Sequence, residues 1–269
     1  MPAPAVRPLL ALAGAGYARY TTYRAAQLSG AFTNAVFGLL RASILVAALT
    51  SRGGPVGGYD RATAVTFAWV SQALIAVVEL FTWNELALRV RTGDVAVDLC
   101  RPVDPQLAYG AADLGRAAAV VLPRAVPILL AGALTTGIAL PRDPWAYVLG
   151  AVAVLLATLL SFACRFAVNL AAFWLVEVRG LIGFYVTVST TLSGLVLPVT
   201  WFPPRLAAVA AATPFPSLVQ APADVLVGRV SGAAAVGVLA VQAAWLAGAL
   251  LVGRAVLARG RRRLVVQGG

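Results

Sequence analysis

The sequence predicts an all-α membrane protein with six spanning helices, and three observations predict it. Of its 269 residues 61% are apolar and 12% charged, with a mean hydropathy of +0.87; soluble domains carry about 25% charged residues. The apolar content suffices for roughly six spans of about 20 residues each. No strand-like alternation supports a closed barrel, the other architecture that satisfies the backbone in lipid.

The elements follow in chain order. Residues 1–30 read as an N-terminal interfacial helix: the apolar run Pro8 to Ala18 continues into Tyr17, Arg19, Tyr20, Tyr23 and Arg24, a tyrosine and arginine mixture suited to the membrane surface rather than to a cleaved signal. Residues 31–269 then hold six apolar segments: Ala31 to Thr50, Ala62 to Trp83, Ala117 to Leu140, Trp145 to Val176, Leu181 to Thr200 and Ala233 to Leu257. Gly53, Gly54, Pro55, Gly57 and Gly58 mark a plain turn after the first.

Arginine placement predicts orientation. With the N-terminus inside, the inner segments hold Arg7, Arg19, Arg24, Arg89, Arg91, Arg101, Arg116, Arg179, Arg254, Arg259, Arg261, Arg262 and Arg263, against Arg52, Arg61, Arg142, Arg205 and Arg229 outside. Both termini are therefore expected in the cytoplasm. The net charge of +11 is explained by this topology and by anionic lipid, without nucleic acid.

Missing residue types narrow the chemistry. All 21 basic residues are Arg, with no Lys and no His. A phosphate-binding G-x-x-x-x-G-K-[ST] loop is impossible, so the chain is not a conventional ATPase. A Ser/His/Asp triad and an imidazole metal site are excluded as well, leaving no catalytic or metal-ligand candidates. Cys100 and Cys164 lie too far apart in sequence to form a C-x-x-C site.

Two connections are long. In the inner one, from Asn84 to Arg116, Asn84 to Val90 is expected to prolong the second helix. Gly93 then ends it, Asp94 caps a short helix up to Arg101, and Pro102 stops that helix. This short helix reads either as a docking element for a cytoplasmic partner or as a simple joining loop. The outer connection, Trp201 to Gly232, is apolar but cut by Pro203, Pro204, Pro214, Pro216 and Pro222, which predicts two short helices dipping into the outer leaflet. An outer gate or a structural cap would both account for it.

The run R-T-G-D-V-A-V-D-L-C-R-P-V from Arg91 to Val103, with D-L-G-R at Asp113 to Arg116, resembles the cytoplasmic loop of type-2 ATP-binding-cassette exporter permeases, in particular a bacterial group of subunits of this length. L-P-V-T-W-F-P at Leu197 to Pro203, T-P-F at Thr213 to Phe215 and A-P-A-D-V-L-V-G at Ala221 to Gly228 are similar to that family's segment before the last span. The resemblance implies a coupling helix between spans two and three and a re-entrant hairpin before span six. It also implies a second permease subunit, the same or a homologous chain, and two copies of a cytoplasmic ATPase that carry the ATP and Mg, with no cofactor on this chain. Arg91, Gly93, Asp94, Asp98, Arg101 and Pro102 match the coupling loop. Trp201, Phe202, Pro203 and Phe215 fall in the outer gate. The expected location is the bacterial inner membrane, and the expected cargo an amphipathic drug-like or lipidic molecule moved outward.

Polar residues within spans cost a few kcal/mol and need reasons. Asn34 and Arg41 share a face of span one; Gln72 and Glu79 repeat that spacing on span two, with Trp69 and Trp83 on the same stripe. An Arg41 to Glu79 ion pair is one expectation, either purely structural or lining the path. Arg165 and Asn169 share a face of span four near the inner surface. Span five carries Gly183, Thr187, Thr190, Thr191 and Gly194, a small-residue side suited to a subunit interface. With Asn34 and Gln72, Thr187 and Thr191 are candidates for a conduit, or for plain helix packing. The rival functions are a secondary transporter, whose usual internal repeat is not evident, and an intramembrane lipid-modifying enzyme.

Overall fold

The computed structural model describes residues 6–81 and 84–263; Trp83 lies outside the described residues. Twelve α-helices follow one another: α1 Val6–Thr21, α2 Arg24–Ser51, α3 Arg61–Val78, α4 Glu85–Thr92, α5 Val95–Leu99, α6 Pro105–Val120, α7 Val126–Thr135, α8 Pro144–Asn169, α9 Arg179–Leu192, α10 Pro204–Ala211, α11 Gln220–Leu226 and α12 Gly232–Gly260. A π-helical turn, Val121–Ala125, joins α6 to α7. Pro123 and Pro127 each lack an N–H for the helical ladder, and the π turn absorbs the defect without breaking the span.

Helix starts follow local chemistry. Asp60, Asp104 and Asp143 cap α3, α6 and α8 by accepting the N–H groups of Thr63 (2.8 Å), Leu107 (3.1 Å) and Trp145 (3.0 Å). Pro105 and Pro144 stand at the first helical position, where no N–H is needed.

Five of these helices or continuous helical runs are long and apolar enough to cross a membrane: α2, α3, α6 through α7, α8 with its 3-10 extension to Phe173, and α12. The chain is therefore a multi-pass membrane protein. The predicted fifth span is shorter than expected. Helix α9 has 14 residues, about 21 Å at 1.5 Å per residue, against a hydrocarbon core of about 30 Å. It stops because Gly194 turns left-handed (φ +84°) to let Gln220 pass; a Cβ there would lie 2.4 Å from Gln220 Oε1. Beyond it, α10 and the 215–226 segment meet at a bend of 74°.

Helix α3 is the hub. It is buried on nearly every side, with α2, α6, α7, α8 and α11 around it. At its centre Trp69 is fully buried between two glycines, since a Cβ on Gly38 or Gly132 would stand 2.6 or 2.5 Å from its ring. Its Nε1 donates to Thr136 Oγ1 at 2.8 Å. Helices α1 and α6 touch backbone to backbone, because Gly16 lies against Ala112 and Gly115 against Ala13. Helix α12 runs along α8, tied by Gln242, whose Nε2 donates to the carbonyls of Ala153 and Ser217.

Asn84 to Val90 does not prolong the second helix. Helix α3 ends at Val78, and Glu79 takes a left-handed backbone (φ 54°), alone in this among the described non-glycine residues. Helix α4 starts afresh at Glu85.

A Gly132→Ala change should cost about 1–3 kcal/mol by overpacking against Trp69. Gly237→Ala on α12, where nothing lies within 4 Å of the added methyl, should be neutral or slightly stabilising. Thermal unfolding in detergent, followed by tryptophan fluorescence, measures both.

Candidate functional site

Four groups of residues hold the candidate chemistry. The first lies at the arginine-rich end, on α4 and α5. Gly93 (φ 83°) ends α4 in the left-handed conformation, and Asp94 accepts from Thr92 Oγ1 (2.7 Å) rather than capping α5 with its side chain. Asp98 points inward. Its carboxylate takes a two-pronged contact from Arg89 (2.7 and 3.0 Å) and the Tyr109 hydroxyl (2.7 Å), with Arg101 at 4.0 Å. Of the six expected docking residues, Arg91, Gly93, Asp94, Arg101 and Pro102 face solvent and Asp98 is buried. Leu88 and Val97 add exposed apolar surface, at 57% and 58%. Arg91 also approaches Glu177 at 3.7 Å. The Arg179 amide, with the Arg179 and Arg91 guanidinium groups, holds the Glu177 carboxyl below its ordinary range. Between α1, α5 and the start of α6 opens a cleft of about 460 Å³, with Leu12, Pro105 and Ala108 on its walls and Arg89 and Arg101 at its edge.

The second group is a buried ionic cluster under the end of α3. Arg116 donates to Asp113 (2.8 Å) and, through Nη1 and Nη2, to the carbonyls of Ala76 (3.0 Å) and Val77 (2.9 Å). Glu79 lies 3.4 Å from Arg116, and Arg165 reaches Asp113 at 3.0 Å. Ser161 donates to the Glu79 carbonyl (2.9 Å) and receives Arg165 Nε (3.3 Å). Asn169, one turn on, accepts the Ala87 N–H of α4 at 3.2 Å. Arg165 and Asn169 are thus interior groups rather than lipid contacts. Local spacing does not reveal the pairing of Asp113 with Arg165, because 52 residues separate them.

The third group lies at mid-depth, and the expected Arg41 to Glu79 pair does not form. Arg41 Nη1 donates to Ser71 Oγ (2.9 Å), while Arg116 takes Glu79. The cause is the left-handed turn at Glu79, which ends the helix and takes its side chain off the Gln72 stripe. Arg41 Nε and Nη2, Asn34 Nδ2, Arg124 Nε and Gln72 Oε1 are buried and have no hydrogen-bond partner among the described residues. Thr187 and Thr191 bond to carbonyls of their own helix and are exposed. Gly180, Gly183 and Phe184 are open beside them, so this face of α9 is uncovered. A face of α2 with Phe32, Phe37, Leu40 and Ile44 is also uncovered.

The fourth group closes the opposite end. Trp201 Nε1 donates to the Val56 carbonyl (2.9 Å), and its ring meets Tyr59 edge-on at 6.3 Å. Phe215 meets Tyr185 edge-on at 6.0 Å; Phe202 is half-buried and Pro203 exposed. Behind them sits a buried carboxylate absent from the sequence reading of the gate. Asp224 accepts from the Tyr59 hydroxyl, from Gln220 Nε2 (2.7 Å) and from both Nε (2.7 Å) and Nη2 of Arg229. Gln220 Oε1 in turn accepts the Val199 N–H at 2.8 Å. Burial and the adjacent Asp224 charge raise the Tyr59 pKa, so the hydroxyl stays a donor.

Residues 37–268 match the family described as ABC-2 family transporter protein. No curated protein and no solved structure matches the chain.

Replacing Asp113 by Asn leaves two buried guanidinium groups short of charge and should cost about 3–5 kcal/mol, read as a lower unfolding temperature and reduced yield of folded protein. Tyr59→Phe removes one donor from buried Asp224 and should cost about 1–3 kcal/mol in the same measurement.

Proposed function

The chain belongs to the ABC-2 family of transporter membrane proteins, and from that premise we propose that it is the permease of an ATP-driven exporter. It works with two copies of a separate cytoplasmic ATPase, which bind the ATP and Mg, and with a second permease, the same or a homologous chain. The arginine-rich end, with both termini, faces the cytoplasm of a bacterial cell, and an amphipathic drug-like or lipidic cargo leaves by the opposite end.

The observation that carries this reading is the α4–α5 hairpin. Asp98 holds it rigid from within through Arg89 and Tyr109, and its outer surface presents Leu88, Arg91, Val97 and Arg101 to solvent. A stiff knob with an apolar centre and a charged rim suits a protein interface. Motion of the ATPase would pass through α4 to α8 by the Ala87 to Asn169 hydrogen bond, and so to the ionic cluster below α3. The uncovered face of α9, with Gly180, Gly183, Thr187 and Thr191, is where a second permease would pack, since small residues let helices approach closely in lipid. The lack of any Lys, and so of a conventional phosphate-binding loop, agrees with a separate ATPase. The hairpin of α10 and α11 reads as the outer gate, with Trp201, Phe202, Pro203 and Phe215 at its edge.

Co-purification with the ATPase tests the reading. Val97→Asp together with Arg101→Glu should weaken association roughly tenfold or more, as interface anchors do, with the unfolding temperature unchanged. Asp98→Ala should weaken association and lower the unfolding temperature together. Failure of any ABC ATPase to associate with the wild-type chain overturns the reading.

A further inference from the structure

Arg41 and Arg124 are partly buried, and each keeps a buried guanidinium nitrogen with no acceptor among the described residues. Gly30, Asn34, Gly38 and Arg41 lie on one stripe of α2, three or four residues apart. Gly38 and Gly132 both meet Trp69; eight residues earlier on each helix, Gly30 meets the Arg124 guanidinium. Helix α2 and the α6–α7 run are therefore parallel and in register. Trp69 lies near the middle of α3, which places the Arg41 guanidinium, bonded to Ser71, near mid-depth. Arg124 lies about 12 Å from the level of Trp69 towards the arginine-rich end, with Asn34 at an intermediate level. Along this line Arg124 Nε, Asn34 Nδ2 and Arg41 Nε and Nη2 are buried donors without acceptors among the described residues.

Among the described residues neither Arg41 nor Arg124 forms an ion pair. The carboxylates in the spans or at their ends are held elsewhere: Asp113, on the α6–α7 run, by Arg116 and Arg165, and Glu79, at the end of α3, by Arg116. A buried guanidinium without a counter-ion costs several kcal/mol, and an anion of suitable geometry recovers much of it. We propose that Arg124, Asn34 and Arg41 form a track for the anionic head, a phosphate or carboxylate, of an amphiphile that enters from the inner leaflet. Its tail lies against the uncovered apolar face of α2 around Phe37, Leu40 and Ile44. The π turn that contains Arg124 is the irregular backbone expected beside such a site. This inference rests on the permease reading for its direction of entry, but its test needs no ATPase.

The full-length chain in phosphatidylcholine nanodiscs is titrated with dodecyl phosphate and with dodecyltrimethylammonium. The phosphate should bind at least roughly tenfold more tightly, and Arg41→Gln and Arg124→Gln should each remove about tenfold of that preference, as loss of a charge-assisted hydrogen bond does. Arg41→Lys should keep most of it. Equal binding of the two probes, or full retention of the preference in both Gln variants, overturns the proposal; if Arg41→Gln does not fold, Arg124→Gln at the rim decides. Adding phosphatidylglycerol distinguishes the sources: displacement of the probe identifies a bilayer lipid head, and no displacement a single-chain cargo. Both of these outcomes retain the anionic head as the recognised group. Loss of ATPase association alone would count against the permease reading and leave this one standing.

Discussion

The carbonyls of Ala76, Val77 and Glu79 stand where α3 stops inside an apolar bundle, and the rest of the architecture depends on what satisfies them. Ala76 and Val77 are buried, so their carbonyls must find donors in protein. Arg116 supplies two N–H groups from α6 and Ser161 a hydroxyl from α8. The guanidinium then needs its own charge partner, which Asp113 and Glu79 provide, and Asp113 draws in Arg165 from α8. One early helix end thus joins three helices at a fixed depth. It also frees residues 84–102 to fold back as α4 and α5 rather than continue as a single rod.

The two ends of the bundle solve the same problem with one carboxylate each. At the arginine-rich end Asp98 gathers Arg89 and Tyr109, so that a hairpin of only 13 helical residues holds its shape in solvent. At the other, Asp224 gathers Tyr59, Gln220 and Arg229 and stabilises a segment too broken by proline to form a span. Between them Trp69 sets the spacing of α2, α3 and α7 by seating in two glycine notches. Mid-depth Arg41 has no such closed network, and this difference marks it as a place for a guest.

The spans were legible because apolar length is a property of consecutive residues. The short hairpin was legible from Gly93 and Pro102, and the broken outer segment from its prolines. What the sequence did not reveal was anything fixed by contacts between distant residues. The Arg41 to Glu79 pair followed from an unbroken helix, and one left-handed residue removed it. Span five appeared to run to Thr200 because nothing local at Gly194 shows that Gln220, 26 residues later, needs the space. Asp98 looked like a surface contact because its partners, Arg89 and Tyr109, are brought to it only by the turns on either side. Asp224 lies within a segment that resembles the family's, yet its role depends on Tyr59, 165 residues away.

The knot at Asp224 has a mechanical consequence. Tyr59 belongs to the turn between α2 and α3, Gln220 to α11, and Arg229 to the approach to α12; all three converge on a single carboxylate. A displacement of any one of these three strands deprives the same anion of a donor and weakens its hold on the other two. Movement at the far end is therefore shared among the three segments rather than local to one.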